Sequence, residues 1–260
     1  MAKGKREGHK VRTSWDPLAA WYDGWVGEDG SEHHQKLAIP AVLELLALDA
    51  TDRVLDVGAG QGVLAPYVAE TGAGYVGVDA GSRLIAIARR RHGEAGEFIT
   101  GDARRLDALP GITPESFTAV VFLLSLQDMD PLDEVLAGAA WAVKPGGRAA
   151  VLLTHPCFRI PRQSGWGWDE GRKLQYRRVD RYLTPLPVPL KPFPGERGVT
   201  RSFHRPLSDY VNGLAAHGLA VTRMLEIPTY QRVKGERAKA INRANDEIPL
   251  FLGLRADKRE

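Results

Sequence analysis

A glycine-rich turn after a short apolar strand constrains the fold of this chain more than any other feature. The stretch Val54-Leu-Asp-Val-Gly-Ala-Gly-Gln-Gly62 ends an apolar run and places glycines at positions 58, 60 and 62. Glycine lets the backbone come close to a ligand, and the N–H groups that open the next helix point toward the same place. The turn therefore predicts a nucleotide- or nucleoside-binding corner at the carboxyl end of the first parallel strand.

Two residues of this turn distinguish between classes of ligand. A dinucleotide-binding turn has its third glycine one place later, where this chain has Val63. Asp56 precedes the first glycine, and a carboxylate there repels a pyrophosphate but suits a ligand that carries an amino group. Both residues disfavour an NAD-dependent oxidoreductase. The pattern D-x-G-x-G-x-G resembles instead the first motif of the class I S-adenosylmethionine (SAM)-dependent methyltransferases.

Apolar strand-like runs alternate with helical patterns along most of the chain, which predicts a parallel sheet with crossover helices. Strands are expected at 53–57, 75–79, 97–100, 117–124, 148–154, 220–227 and 248–255. Helices are expected at 37–48, 63–71, 82–91, 132–143 and 207–217, with a polar connection over 231–247. We therefore predict an α/β fold with a Rossmann-like, seven-stranded, mostly parallel sheet, helices on both faces and an antiparallel last strand.

The chain is expected to form a tail and a single domain. Residues 1–14 are basic and lack an apolar segment, so they predict a mobile tail rather than a secretory signal. Residues 15–260 are predicted to form one methyltransferase domain. Within it, residues 155–205 are rich in proline and weakly periodic, which predicts an irregular insertion that acts as a substrate lid. This insertion resembles the "HPCF" insert of a group of bacterial methyltransferases.

The resemblance implies a set of SAM-binding residues at the carboxyl ends of successive strands. Asp79 ends the second strand, where its carboxylate would accept hydrogen bonds from ribose hydroxyls. Asp102 and Ala103 follow the third strand and would hold the adenine, although an acid at this position is also a common helix N-cap. The residues expected to bind SAM are Asp56, Gly58, Ala59, Gly60, Gly62, Asp79, Ala80, Asp102, Ala103 and Leu124.

Methyl transfer from a sulfonium requires mainly that donor and acceptor be aligned, with a base wherever the acceptor must lose a proton. His155, at the end of the fifth strand, is one candidate base, although a histidine that is simply hydrogen-bonded there is an equal alternative. His34 is a second candidate, with an exposed position outside the site as its alternative. Tyr22 is the third, because it lies in an aromatic segment that by resemblance folds over the cofactor.

The insertion at 155–205 is the segment in which the resemblance places substrate choice. Its aromatic residues argue against disorder, and it carries eleven Lys or Arg against four Asp or Glu. Aromatic rings interleaved with arginines would suit a planar or anionic acceptor, held by stacking and by charge. The residues expected to bind substrate are Trp15, Trp166, Trp168, Tyr182 and His204.

Composition disfavours several other classes of protein. The single cysteine, Cys157, excludes an internal disulfide and a thiolate metal cluster, and it favours a cytoplasmic protein. No run of about 18 apolar residues is present, so no membrane span is expected. Asp128 and Asp130 could in principle hold Mg²⁺, but acids before Pro131 are more simply a helix-start signal, and no metal site is predicted.

Three functions fit these patterns. The resemblance favours transfer of a methyl group from SAM to an oxygen or nitrogen of a small molecule, which leaves S-adenosylhomocysteine. The basic insertion would also suit an RNA substrate, whose binding weakens steeply as salt is added. The third function is SAM binding without catalysis. No pattern in the sequence indicates the acceptor atom or the oligomeric state.

Overall fold

A seven-stranded sheet forms the centre of the protein in the computed structural model, which describes residues 15–190 and 200–259. The tail expected at 1–14 lies outside the described residues. Strands in chain order are β1 (Arg53–Val57), β2 (Gly74–Asp79), β3 (Glu97–Thr100), β4 (Phe117–Leu123), β5 (Val143–Thr154), β6 (Ser164–Asp169), β7 (Leu174–Val179), β8 (Leu186–Leu190), β9 (Thr200–His204), β10 (Leu219–Ile227) and β11 (Phe251–Lys258).

The helices in the described part of the chain match the predicted order, with two additions. They are α1 (Ala19–Val26), α2 (Ile39–Leu46), α3 (Ala65–Ala69), α4 (Ser82–His92), α5 (Leu132–Ala142), α6 (Leu207–Ala216) and α7 (Ala238–Glu247). The prediction of a polar connection over 231–247 was wrong for α7, which buries only Ala244 and Asn245 and so lacks a broad apolar stripe. No helix among the described residues is long and apolar enough to cross a membrane.

The order of strands confirms the predicted sheet. It is β3-β2-β1-β4-β5-β11-β10, and β11 runs antiparallel to both of its neighbours while the other pairs are parallel. The chain proceeds outward from β1 to β3 and then returns to β4 on the opposite side of β1. In open sheets of this kind, ligands bind at the carboxyl edge beside such a reversal. The ends of β1, β2 and β4 therefore mark the expected site.

Helices cover both faces of the sheet because successive strand residues point to opposite sides. Val121 of β4 packs on the side that also buries Leu45 of α2 and residues of α3 and α4. Its neighbour Val120 packs on the side that buries Leu136 of α5 and residues of α6. A fully buried aliphatic side chain of this kind contributes about 1.5–3 kcal/mol to stability. Packing on both faces fixes the positions of the strand ends at which the site is built.

The insertion contains two β-hairpins, so the prediction that it is irregular was wrong. β6 pairs antiparallel with β7, and β8 pairs antiparallel with β9. Pro187 and Pro189 lie two residues apart in β8, so their backbone nitrogens point to the same side of the strand. Both nitrogens can face away from β9, where no N–H is needed for pairing. A sequence pattern that treats every proline as a strand breaker misses this arrangement.

Candidate functional site

The three glycines of the turn after β1 have different surroundings. All three have a positive φ, of 81° at Gly58, 56° at Gly60 and 83° at Gly62. A Cβ atom on Gly58 would lie 2.5 Å from the Cβ of Ser125, and one on Gly62 would lie 2.7 Å from Cε1 of Phe98. Among the described residues, a Cβ atom on Gly60 would meet only Cε1 of Tyr22, at 3.8 Å. Gly58 and Gly62 therefore allow close packing within the protein, whereas Gly60 faces open space.

The carboxylate of Asp79 ties the glycine turn to the turn that follows β2. Its Oδ2 accepts a hydrogen bond from the backbone N–H of Gly60 at 2.9 Å, and its Oδ1 accepts one from Gly81 at 2.7 Å. Burial raises the pKa of Asp79, and these two hydrogen bonds lower it. Each carboxylate oxygen keeps a further lone pair that could accept from a hydroxyl group. Ala80, the next residue, is exposed at the same corner.

Asp56 lies beneath the glycine turn and is 1% exposed. Its Oδ2 accepts a hydrogen bond from the hydroxyl of Tyr75 at 2.7 Å, whereas Oδ1 is buried without a partner among the described residues. Burial raises the pKa of Asp56 to about 7, and the charge of Asp79 acts in the same direction. An unpaired carboxylate oxygen in this position is suited to a donor that the protein itself does not supply.

Asp102 has the contacts of a helix cap. Its carboxylate accepts from the N–H of Arg104 at 3.0 Å, at the start of the short 3₁₀ helix Ala103–Ala108. The guanidinium of Arg104 also pairs with it, with Nη2 2.5 Å from Oδ2, and this hydrogen bonding lowers the pKa of Asp102. The N-cap that the sequence left open is thus present, and contact of Asp102 or Ala103 with adenine stays a prediction. Leu124 follows β4 with a φ of 55° and donates its N–H to Leu152.

The aromatic segment that begins at Trp15 lies over the glycine turn. The ring of Tyr22 is 5.2 Å from that of Trp15, and the same side chain is the one that a Cβ on Gly60 would meet. Asp16 accepts hydrogen bonds from the first turn of α4, and Asp23 pairs with Arg91 near its last turn, at 2.5 and 3.1 Å. These contacts hold Tyr22 at the site. Its pKa is raised by burial and then by the charges of nearby carboxylates.

His155 is buried and both of its ring nitrogens are occupied. Nδ1 accepts a hydrogen bond from the N–H of Cys157 at 3.2 Å, so Nε2 carries the proton and donates to Oε1 of Glu226 at 3.0 Å. The side chain is only 2% exposed, and burial lowers its pKa. These contacts are those of the hydrogen-bonded alternative that the sequence analysis gave for His155. They hold the start of the insertion against β10.

His34 is also buried, which contradicts the exposed alternative for this residue. It is 5% exposed and begins the π-helix His34–Ala38, and its Nδ1 lies 2.9 Å from the hydroxyl of Ser31. Burial lowers the pKa of His34 to about 4, so the imidazole is neutral near pH 7. The contacts of this histidine are therefore those of a packed residue behind the glycine turn.

The predicted substrate residues of the insertion mainly contact other parts of the insertion. The ring of Trp166 lies 5.2 Å from the guanidinium of Arg159 and 5.2 Å from that of Arg177. Trp168 lies 4.5 Å from the guanidinium of Arg237, just before α7. Tyr182 and His204 contact each other, because Nε2 of His204 donates a hydrogen bond to the carbonyl of Tyr182 at 2.6 Å. Their contact with substrate stays a prediction.

Asp128 is a partly buried carboxylate after β4 to which the sequence analysis gave no place in the site. It ends the 3₁₀ turn Leu126–Asp128 after β4, and its Oδ1 is buried without a hydrogen-bond partner among the described residues. The helix-start role was wrong, since α5 begins at Leu132 with Pro131 as its N-cap residue. One signal was present in the sequence: Asp128 comes after the end of a parallel strand, as Asp102 does.

Comparisons with known proteins agree with this geometry. A family model described as a methyltransferase domain matches residues 55–151. The demethylmenaquinone methyltransferase of Tropheryma whipplei is 37% identical over 117 residues, 45% of this chain and 48% of that protein. The chain thus spans about half the length of this relative. The demethylmenaquinone methyltransferase of Beutenbergia cavernae is 30% identical over 181 residues, 70% of this chain and 69% of that protein.

A solved structure shows the same fold over most of the chain. The S-adenosylmethionine dependent methyltransferase of Mesorhizobium loti superposes with a TM-score of 0.67 at 23% identity, covering 89% of this chain and 100% of that one. The match to the methyltransferase domain begins at residue 55, within β1, and so includes the glycine turn and the acid that ends β2. The chain therefore belongs to the class I SAM-dependent methyltransferases.

Proposed function

We propose that this protein transfers a methyl group from SAM to an oxygen or nitrogen atom of a small molecule. The observation that carries the proposal is the pairing of Gly60 with Asp79, which joins an open glycine turn to a carboxylate at the carboxyl edge of the sheet. A turn and an acid in this relation suit a nucleoside, whose ribose offers two hydroxyl donors. Family membership supplies the reaction class.

The residues at this edge fit SAM. The position next to Gly60 is free of other side chains except Tyr22, so a ligand can lie against the backbone there. The unpaired Oδ1 of Asp56 suits an ammonium group, or a water that such a group binds. Asp79 offers lone pairs to the ribose, and Ala80 and Ala103 provide small surfaces beside it. When bound, SAM supplies a methyl group activated by the positive charge on sulfur.

The chain's own residues would then align the acceptor and exclude water. Tyr22 and Trp15 lie as a cover over the glycine turn, and the ion pair between Asp23 and Arg91 holds that cover to α4. A closed cover strengthens the electrostatic interactions beneath it and prevents hydrolysis. We assign Tyr22 to positioning at the reacting centre, because its ring lies next to Gly60 and its phenol, whose pKa burial raises further, is neutral near pH 7.

The acceptor proposed here is planar. Two relatives of this chain are named for methylation of demethylmenaquinone, and by analogy a ring-bearing acceptor comes first among the compounds to test. The insertion adds the ring of Trp166 with two guanidinium groups 5.2 Å from it, and positive charge beside an aromatic ring suits an anionic ring as acceptor. This part of the proposal concerns the substrate and depends on the first part.

The experiment is a binding and transfer assay with wild-type protein. Calorimetric titration with SAM and with NADH tests the cofactor, and we expect heat of binding from SAM alone. Tritium from methyl-labelled SAM is then followed into a small-molecule extract and, separately, into total RNA. Label in the small-molecule fraction supports the proposal. Label in RNA alone supports the RNA alternative, and SAM binding without transfer to either fraction supports a non-catalytic protein.

A further inference from the structure

The carboxylate of Asp128, in the turn that follows β4, is half-buried and lacks a complete set of hydrogen bonds. Asp128 has an Oδ1 atom with no partner among the residues that the structure describes. A buried polar atom left in this state costs about 1–3 kcal/mol, and more when it is charged. Such a cost is retained in folded proteins mainly where the group has a task. Asp128 is outside the SAM-binding set derived above, so its task has to be sought in the acceptor.

The neighbours of Asp128 place it beside the glycine turn. Ser125 and Met129 flank the 3₁₀ turn that Asp128 ends, and both press against Gly58: a Cβ there would lie 2.5 Å from Cβ of Ser125 and 2.7 Å from Cε of Met129. The hydroxyl of Ser125 also donates to the carbonyl of Val57 at 2.6 Å. From the other side, the charge of Asp128 acts on Tyr22, the residue that covers Gly60. The turn that carries Asp128 therefore packs against the glycine turn, and its carboxylate is near enough to Tyr22 to act on that phenol.

The turn that carries Asp128 is held from below by a buried arginine. Arg205 is 6% exposed, and its Nη2 donates to the carbonyl of Met129 at 2.7 Å and to Oδ1 of Asp130 at 2.8 Å. These two contacts fix the backbone on which Asp128 is mounted. A group that must meet a reacting atom needs this kind of support, since a small misplacement is costly to the rate.

The electrostatic surroundings allow Asp128 to exchange a proton near neutral pH. Burial raises its pKa to about 7, against the hydrogen bond from Ser202 and the positive charge of Arg205, which lower it. Tyr22 of α1 and Tyr210 of α6 also face this carboxylate, and the pKa values of both phenols are raised. A base whose pKa is close to the ambient pH combines a useful ionised fraction with a useful proton affinity.

We propose that Asp128 is the base that takes the proton from the methyl acceptor, through its unpaired Oδ1. This inference rests on the proposed function. A lone pair of the acceptor's oxygen or nitrogen forms the bond to the methyl carbon, while the bond from that carbon to sulfur breaks and its electron pair stays on sulfur. The proton of the acceptor passes to Oδ1 of Asp128. The acceptor class is thus one whose nucleophilic atom carries both a lone pair and a proton, a hydroxyl or a neutral amine.

The test needs no knowledge of the acceptor. Sinefungin is a SAM analogue with an amino group in place of the transferable methyl and the sulfonium, and S-adenosylhomocysteine lacks that group. The ammonium of sinefungin would occupy the region in which Asp128 meets the acceptor. In calorimetric titrations we expect Asp128→Asn to weaken sinefungin about tenfold or more, as loss of a charge-assisted hydrogen bond does, and to leave S-adenosylhomocysteine unchanged. Asp133→Asn, an exposed acid of α5 paired with His217, is the control and should change neither affinity.

The outcomes separate this inference from the proposed function. Failure of the wild type to bind S-adenosylhomocysteine would overturn the proposed function itself. Binding of both ligands, with a ratio of affinities that Asp128→Asn does not alter, would overturn only the role of Asp128. In the wild type the preference for sinefungin should also grow as the pH rises through about 7. Ionisation of Asp56 changes the affinities for sinefungin and S-adenosylhomocysteine alike, so it cancels in their ratio. A ratio of the two affinities that does not change with pH therefore also contradicts the inference.

Discussion

The carboxylate of Asp79, at the end of β2, accepts a hydrogen bond at 2.9 Å from the backbone N–H of Gly60 in the turn that follows β1. This bond links the one glycine of the turn that faces open space to the acid at the end of the neighbouring strand. It presets the shape of the site before any ligand arrives, which reduces the cost of ordering the turn on binding.

Replacement of Asp79 is expected to weaken SAM binding in two graded steps. Asp79→Ala removes the acceptor of both the turn and the ribose, and we expect a loss of about 1.5–3 kcal/mol in binding free energy. Asp79→Asn keeps one acceptor oxygen and should lose less. Calorimetric titration of both variants measures the difference. Equal affinities for the wild type and Asp79→Ala would remove Asp79 from the site.

Asp56→Asn is expected to stabilise the protein while it weakens SAM binding. The carboxyl of Asp56 has a pKa raised from 3.8 to about 7 by burial, so its ionised form is disfavoured by the fold. This penalty is present above pH 7 and is relieved as the pH falls toward 3.8, because the folded chain takes up the proton first. The neutral amide of Asp56→Asn carries no such penalty. At pH 8 we therefore expect the free energy of unfolding of the variant to exceed that of the wild type by about 1 kcal/mol or more.

Chemical denaturation of this variant at pH 8 and pH 5 checks the sign of that effect. The gain in stability should be large at the higher pH and small at the lower one. A variant that is less stable than the wild type at pH 8 would contradict the electrostatic description of Asp56. Unchanged SAM affinity would show that its unpaired Oδ1 does not serve the ligand.

His34 is expected to make the protein less stable as the pH falls below 6.5. Burial lowers its pKa from 6.5 to about 4, so the unfolded chain binds the proton first. The stability that the neutral His34 imidazole contributes is complete above pH 6.5 and is lost as the pH approaches 4. The free energy of unfolding should fall by about 3 kcal/mol over this range, because each unit of pKa shift corresponds to about 1.4 kcal/mol. Asp56 and Asp128, whose pKa values are raised, act in the opposite direction over the same range.

Comparison with His34→Gln isolates this histidine from the two carboxyl groups. The stability of the variant relative to the wild type should improve as the pH falls from 6.5 to 4. Denaturant titrations at several pH values measure it. Curves for the two proteins that stay parallel over this range would show that the His34 imidazole is not held neutral by the fold.

His155→Ala is expected to lower stability more than turnover. The substitution leaves the N–H of Cys157 and the carboxylate of Glu226 without this partner, which costs about 1–3 kcal/mol in the free energy of unfolding. Methyl transfer per folded molecule should stay near the wild-type value. Loss of transfer in a variant of normal stability and normal SAM affinity would restore His155 as a catalytic group.

The sheet and the cofactor edge could be predicted from the sequence because their signals are local. The run that ends at Asp56 and the run that ends at Asp79 are each short, apolar and followed by a turn, so strand ends and glycine positions follow from neighbouring residues. The alternation of strands and helices then determines which ends share an edge.

The choice of base could not be predicted, because it depends on contacts between distant parts of the chain. Glu226 lies 71 residues beyond the histidine that it occupies, so the sequence around His155 carries no sign that its nitrogens are taken. For Asp128 the local sequence misleads in the opposite direction: a nearby proline suggests a helix start, and only the fold shows that its Oδ1 is buried without a partner among the described residues. The hairpins of the insertion were missed for a related reason: whether a strand tolerates a proline depends on which side of it the partner strand lies.

The measurement that tests the account most directly is calorimetric titration of SAM into wild-type protein, Gly60→Val and Gly218→Val. Both glycines have a positive φ, of 56° and 77°, and a Cβ atom on either would meet no described side chain closer than 3.8 Å, so the two substitutions impose similar backbone strain. We expect Gly60→Val to abolish SAM binding while the protein stays folded, and Gly218→Val to bind SAM as the wild type does. Wild-type affinity in Gly60→Val would contradict the assignment of this turn as the SAM site.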